Sequence, residues 1–383
     1  MRTIVTLLVV AAVATADPKP GDFGTPEHEK ATALVRQLGD KRFATREAAA
    51  KKLIEMGPTA VVALTAGTKS ADEEVRNRSL ALLPQAKAAE WKRRAEAYLY
   101  DKDGKQKHDL PLLAEWEKLI GKPDAGSRTL FADMVRSNGE LLQQAVADPK
   151  AAREAVKARC RTLLSQVGST VKQVPVEAGE LAALFFVHAR VNTDRADWMA
   201  VDTPAQLLAN PGFTGALESK ELGPSMRRVV VQWADSRPAL DMTSHQFFAL
   251  AIRKTPFPEA VPVLARLAKD KNASGLHVRA LAMEAMGKIG DKDSITALEG
   301  LISDETSLFQ GVVGQDYPAG DCAFAALVTA QKKNPADYGM SNSISIGFRF
   351  GAQNEIVRLN LQSFPNAEAR QKGLQKWKDD AKK

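Results

Sequence analysis

The sequence is poor in most of the residues that carry recognisable chemistry. Only two cysteines, Cys160 and Cys322, stand in 383 residues. That excludes a disulfide-dense scaffold, which needs several bridges in a short chain. The five histidines, His28, His108, His188, His245 and His277, are far apart, and none has a second histidine at metal-ligand spacing. H-E-x-x-H and C-x-x-C are both missing, so no zinc site is indicated. A G-x-S-x-G nucleophile elbow is missing too. Aromatic residues make up 6% of the chain, which argues against a strand-rich protein. No apolar run reaches the roughly 20 residues of a transmembrane helix. No catalytic residue, cofactor-binding residue or metal ligand is therefore assigned, no cofactor is expected, and each histidine is expected at the surface or in a capping position.

What is present points to helix and to export. Hydrophobic residues at 44% and charged residues at 26% give a globular composition. Alanine, leucine, lysine and glutamate recur, and straight-chain residues lose little rotamer freedom in a helix. At the N-terminus, Arg2 precedes an apolar stretch from Ile4 to Val13, and Ala14-Thr15-Ala16 follows just before Asp17. This reads as a secretory signal peptide, residues 1–16, cleaved before Asp17. The expected location is periplasmic or extracellular. The net charge is +7, but lysine and glutamate alternate along most of the helical segments, as on a solvated surface. The best basic candidates, Trp91 to Arg94 and Arg370 to Lys383, leave nucleic acid the weaker expectation for an exported chain. The partner expected is another protein.

Helical periodicity begins after a Pro/Gly-rich linker. Ala31, Leu34, Val35 and Leu38 form one apolar stripe closed by Gly39. A second helix runs from about Arg46 to Gly57, and Pro58 opens a third at its first position. Ser70 with Glu73 reads as a capping box for a fourth. The middle, from Trp91 to Trp233, is helical but less periodic; Thr203 to Gln206 reads as another capping box. Gly121 to Ser127 is a turn without the lysine of a phosphate loop, and Tyr100 to Gly104 is a turn whose twelfth calcium-loop position, counted from Asp101, is Leu112. Cys160 and Cys322 are expected as buried thiols. Ser341 to Gly351 is the best strand or extended-loop candidate, and a basic helix follows Asn366.

Two segments repeat. Arg46 to Gly57 and Arg279 to Gly290 have equal length, with arginine at the start and glycine at the end, and Ala63-Leu64 and Ala297-Leu298 follow them. Here the chain resembles the HEAT-like repeat family, through "FATREAAAKKLIEMG" and "LHVRALAMEAMGKIGDKDSITALEGLISDE". It is also similar to uncharacterised exported proteins of planctomycete-type bacteria, which end their repeat-like half in a P-x-D-Y-G turn, here Pro335 to Gly339. The resemblance implies fold and location and no mechanism. The expected fold class is all-α, an α-solenoid of antiparallel HEAT-like helix pairs with a degenerate helical middle. The expected organisation is signal peptide 1–16, linker 17–26, N-terminal repeats 27–90, helical middle 91–237, C-terminal repeats 238–340, and an extended segment with a basic helix at 341–383. The function expected is protein binding or scaffolding without catalysis. The alternatives are an exported hydrolase or lyase built from distant residues such as His188, Asp194 and Asp197, and an anionic-polymer binder with a basic concave face.

Overall fold

The computed structural model describes residues 25–101, 103–167, 175–191, 203–271, 275–310, 315–350, 355–380 and 382. The signal segment 1–16 lies outside them, as do Asp194 and Asp197. The chain divides into two compact units at Arg94/Ala95. The fold is all-α, built from paired helices, with two short β-hairpins near the C-terminus.

The first unit contains α1 (Pro26–Gln37), α2 (Phe43–Glu55), α3 (Pro58–Gly67) and the start of α4 (Glu73–Tyr100). Gly57 adopts φ +70, and Pro58 then starts α3 with no donor to lose. The core joins Leu34, Val35 and Leu38 of the α1 region to Leu53, Ala60, Leu64, Val75 and Leu82. At Gly67 a methyl group would meet Val35 Cγ1 at 2.8 Å, so α1 and α3 pack as closely as backbone permits. Arginines secure the turns. Arg46 Nη1 donates to the Asp40 carbonyl at 2.9 Å, and Arg76 Nη1 donates to the Ser70 carbonyl at 2.8 Å, each six residues back. The cap of α4 is Asp72, whose carboxylate accepts from the Val75 N–H at 3.0 Å. The expected Ser70 cap is displaced because its hydroxyl is already taken by the Asp72 N–H.

The second unit opens with α5 (Leu113–Ile120), α6 (Ala125–Ala147), α7 (Pro149–Val167) and α8 (Ala178–His188). A 3-10 turn (Pro204–Ala209), α9 (Pro211–Glu218) and α10 (Gly223–Asp235) follow. The turn before α6 is closed by a reciprocal Asp124–Ser127 box. Helix α8 is buried along its whole length from Leu181 to His188. A helix enclosed on all sides carries no apolar period, which explains the weak periodicity of this region. Trp116 stacks on Phe131 at 5.5 Å, and Phe185 meets Trp233 edge-on at 5.0 Å. At Thr203 the capping box is not formed: the side chain makes no cap bond, because the segment after it is a 3-10 turn.

The C-terminal part contains α11 (Met242–Lys254), α12 (Val261–Lys269), α13 (Leu276–Ile289), α14 (Lys292–Glu299) and α15 (Ala319–Ala330). Helices α11, α13 and α15 pack side by side in one row, with α12 and α14 forming a second layer. Arg279 is fully buried and fastens α13 to both neighbours. Its Nε donates to the Ala268 carbonyl at 2.8 Å and its Nη2 to Asp304. Burial alone would raise the Asp304 carboxyl, but hydrogen bonds from Thr306, Arg279 and Lys271 hold it well below the usual range. Gly290 closes α13 at φ +66.

Strand appears where it was expected and in two further places. β1 (Ser307–Gln310) and β2 (Asp316–Pro318) form a small hairpin before α15. β3 (Asn342–Phe350) covers most of the extended candidate and pairs antiparallel with β4 (Glu355–Ser363), in the register Ile344↔Leu361, Ile346↔Leu359 and Phe348↔Val357. The last helix is α16 (Ala367–Asp380), capped as expected by Asn366, whose side chain accepts from Ala369 N–H at 2.8 Å. Two of its basic residues tie it to the rest of the unit, while Lys372 and Lys378 are exposed. Arg370 pairs with buried Asp321 at 2.8 Å and Lys376 donates to the Asp337 carbonyl at 2.8 Å.

Candidate functional site

The side chains of the β3–β4 hairpin alternate strictly, and this sets where it lies. Ile344, Ile346, Phe348, Val357, Leu359 and Leu361 share one face and are partly or wholly buried, while Ser343, Ser345, Arg358 and Asn360 share the other and are exposed. The apolar face rests on the helix row. His277, near the start of α13, stacks on Phe348 at 5.4 Å. Arg253 of α11 donates to the Arg358 carbonyl at 2.6 Å, and the Cys322 thiol of α15 reaches the Gln362 carbonyl at 3.9 Å. β4 therefore crosses α11, α13 and α15 in turn.

Beside β4 the row is left open, and a cavity of about 180 Å³ forms there. Its floor is made of small residues, Ala280 and Gly287 of α13 with Ala325 and Ala326 of α15. Gly287 is required by this packing, since a methyl group there would stand 2.9 Å from the Ala326 carbonyl oxygen. Glu284, Lys288 and Thr329 supply the polar rim, and Leu359 to Gln362 form the wall. Glu284 Oε1 lies 2.8 Å from Arg253 Nε, while Oε2 is buried with no hydrogen-bond partner among the described residues. Burial raises the Glu284 carboxyl, with Arg253 opposing. The groove thus offers an acceptor that lacks a donor, beside a strand edge. A wider cleft of about 410 Å³ lies between α5, α10 and α12, where Arg266 faces Asp235 at 3.4 Å and Glu259 faces Arg227 at 2.9 Å. Those charges are paired within the protein, although Glu259 Oε2 and Arg266 Nε make no hydrogen bond among the described residues.

The histidines depart from expectation. His188 and His245 are buried, not at the surface. The Trp233 Nε1–H donates to His188 Nδ1 at 2.9 Å, which places the proton of the neutral ring on Nε2. Arg237 donates to the His188 carbonyl at 2.6 Å. Burial first, then Arg237 and Lys157, push His188 well below the ordinary histidine range. Burial, then Arg266 and Arg237, push His245 down to about 4. Both follow from the local sequence: each histidine adjoins an apolar run, "LAALFFVH" and "HQFFALAI", that the packing encloses except at Gln246. His108 meets Asp101 at 2.9 Å and His277 meets Gln246 at 3.1 Å. The Asp101 carboxylate is occupied by His108 and by the N–H groups of Lys105 and Gln106. Cys160 and Cys322 are buried and not joined to each other.

Comparison with known proteins bears on the helix row. Residues 245–312, from within α11 past β1, match the family described as HEAT repeats. Over that segment the chain is similar to HEAT repeats. The Arg279-to-Gly290 segment lies inside the match, and the Arg46-to-Gly57 segment of the first unit lies outside it. Among solved structures, human deoxyhypusine hydroxylase in complex with glycerol is 12% identical, with 80% of this chain and 98% of that chain covered at a TM-score of 0.21. A superposition that loose carries no argument. No curated protein matches. Among the described residues no helix is long and apolar enough to cross a membrane.

Proposed function

We propose that this chain is an exported scaffold that binds another protein through the α11–α13–α15 row, of which α11 and α13 fall in the segment similar to HEAT repeats. The supporting observation is the groove beside β4. Repeat proteins recognise partners by side chains from successive helices acting together, and here α13 and α15 bring Glu284, Lys288 and Thr329 to one opening, with Arg253 of α11 holding Glu284. Export rests on Arg2 to Ala16. The test is capture of partners from a periplasmic extract by the immobilised mature chain, with mass-spectrometric identification. Retention of a defined protein supports the scaffold. Retention of polysaccharide or DNA alone rejects it. N-terminal sequencing of the cell-derived protein checks the location, and an intact Met1 in a cytoplasmic fraction rejects export.

A further inference from the structure

The edge of β4 identifies the kind of partner the groove fits. The Arg358 and Gln362 carbonyls point away from β3, since they accept from Arg253 and Cys322. In an antiparallel pair, alternate residues turn both backbone groups outward. Asn360, midway between them and opposite Ser345, therefore turns its N–H and C=O toward the groove as well. No backbone bond from beyond the hairpin reaches Asn360 among the described residues. Outward groups thus recur on every second residue of β4, about 6.8 Å apart as an extended chain repeats, and because the Arg358 and Gln362 carbonyls are already taken, Asn360 is the one of the three with both groups open. A strand edge of this kind is a template for another strand.

We propose that a short extended segment of a partner protein adds to β4 as a third strand, lying over α13 and α15. This rests on the scaffold reading and names its class of partner. The incoming residue opposite Asn360 exchanges two backbone hydrogen bonds with it, as in other cases of strand addition. Gly287, Ala325 and Ala326 leave room for that backbone but little for bulk, so residues facing the floor are small. A serine or threonine there donates its hydroxyl proton to Glu284 Oε2, the buried acceptor that lacks a donor. Lys288, exposed on the rim, favours a carboxylate next to it. A small-molecule ligand fits less well, because about 180 Å³ falls short of the roughly 300 Å³ at which ligand pockets begin.

The probe is a displayed library of random dodecapeptides selected on the mature full-length chain, with binders resynthesised for titration calorimetry. Strand addition predicts that N-methylation weakens binding about tenfold or more at every second position and little at the positions between. Asn360→Pro removes the outward N–H without touching the β3–β4 ladder, and should weaken binding about tenfold with an unchanged melting temperature. Thr329→Trp, an exposed change that fills the groove, should do the same if the proline variant folds poorly. Lys288→Glu should reduce affinity for acidic binders selectively. The proposal fails if no peptide is selected, if N-methyl sensitivity lacks a period of two, or if Asn360→Pro and Thr329→Trp bind like the parent. It also fails if Asn360→Pro instead abolishes a self-association seen in sedimentation, which assigns the edge to a second copy. Extract capture separates the two readings. A partner retained equally by parent and Thr329→Trp columns leaves the scaffold standing without the strand, whereas no retained partner removes both.

Discussion

The buried histidines set the response to acid. His245 is enclosed on α11, with its ordinary value of 6.5 lowered to about 4 by burial and by Arg266 and Arg237. The folded chain therefore declines a proton that the unfolded chain accepts below about pH 6.5. Stability from this group is complete above that value and falls as the pH drops toward about 4. The difference of 2.5 units (6.5 minus 4) at 1.36 kcal/mol per unit gives about 3 kcal/mol lost across the window. His188 acts in the same direction. Carboxylates held low, such as Asp101, Asp124 and Asp304, lose their contribution only at lower pH, whereas the raised Glu284 gains stability on acidification. The assay is urea denaturation followed by tryptophan fluorescence at half-unit steps from pH 7.5 to 4.5. The slope of stability against pH should reach about two protons for the parent from His188 and His245, with His277, also lowered by burial, adding to it, and should fall by about one in His245→Gln. A parent whose stability is flat between pH 7 and 5 would refute the burial of neutral histidines.

Three further outcomes follow from packing. Arg279→Ala leaves the Ala268 carbonyl without its donor and takes one partner from Asp304, which keeps Thr306 and Lys271, and should cost about 1–3 kcal/mol, read from the denaturation midpoint; a cost below about 0.5 kcal/mol would mean that the pair is solvated. Gly320→Ala places a methyl group 2.1 Å from the Ile302 carbonyl oxygen and should destabilise by about 1–3 kcal/mol or more, measured by thermal melting. The Cys322 thiol is pushed up to about 12 by burial and by Asp321. Neither it nor buried Cys160 should react with a disulfide reagent in the native protein, and both should react in denaturant.

Backbone punctuation made the repeats legible. Gly57 followed by Pro58, and Gly290 at the end of α13, mark helix ends through conformations other residues avoid. The matched arginines were legible as a pattern, while their targets, carbonyls of the preceding turn, were not. Position in the core hid the rest. His188 ends an apolar run and His245 stands just before another, where no period tells an enclosed side from an open one. β4 alternates apolar and polar residues, but nothing in that alternation names β3 as its partner or the helix row as what lies beneath. The groove itself has no contiguous signature, because Glu284, Thr329 and Asn360 come from three separate elements.

The C-terminal cap also restricts how such a protein lengthens over evolution. Helix arrays commonly grow by duplicating a pair at one end, which needs a bare terminal helix for the newcomer to stack on. On α15 those surfaces are already claimed. Phe324 meets Trp377 of α16 and Phe364 beyond β4, and Asp321 holds both the Phe364 N–H and Arg370. A pair duplicated after α15 would have to evict the hairpin and α16 together. Duplications that survive should instead fall between existing pairs, leaving the terminal cap in place and moving Arg253, Glu284 and Thr329 apart as whole helices.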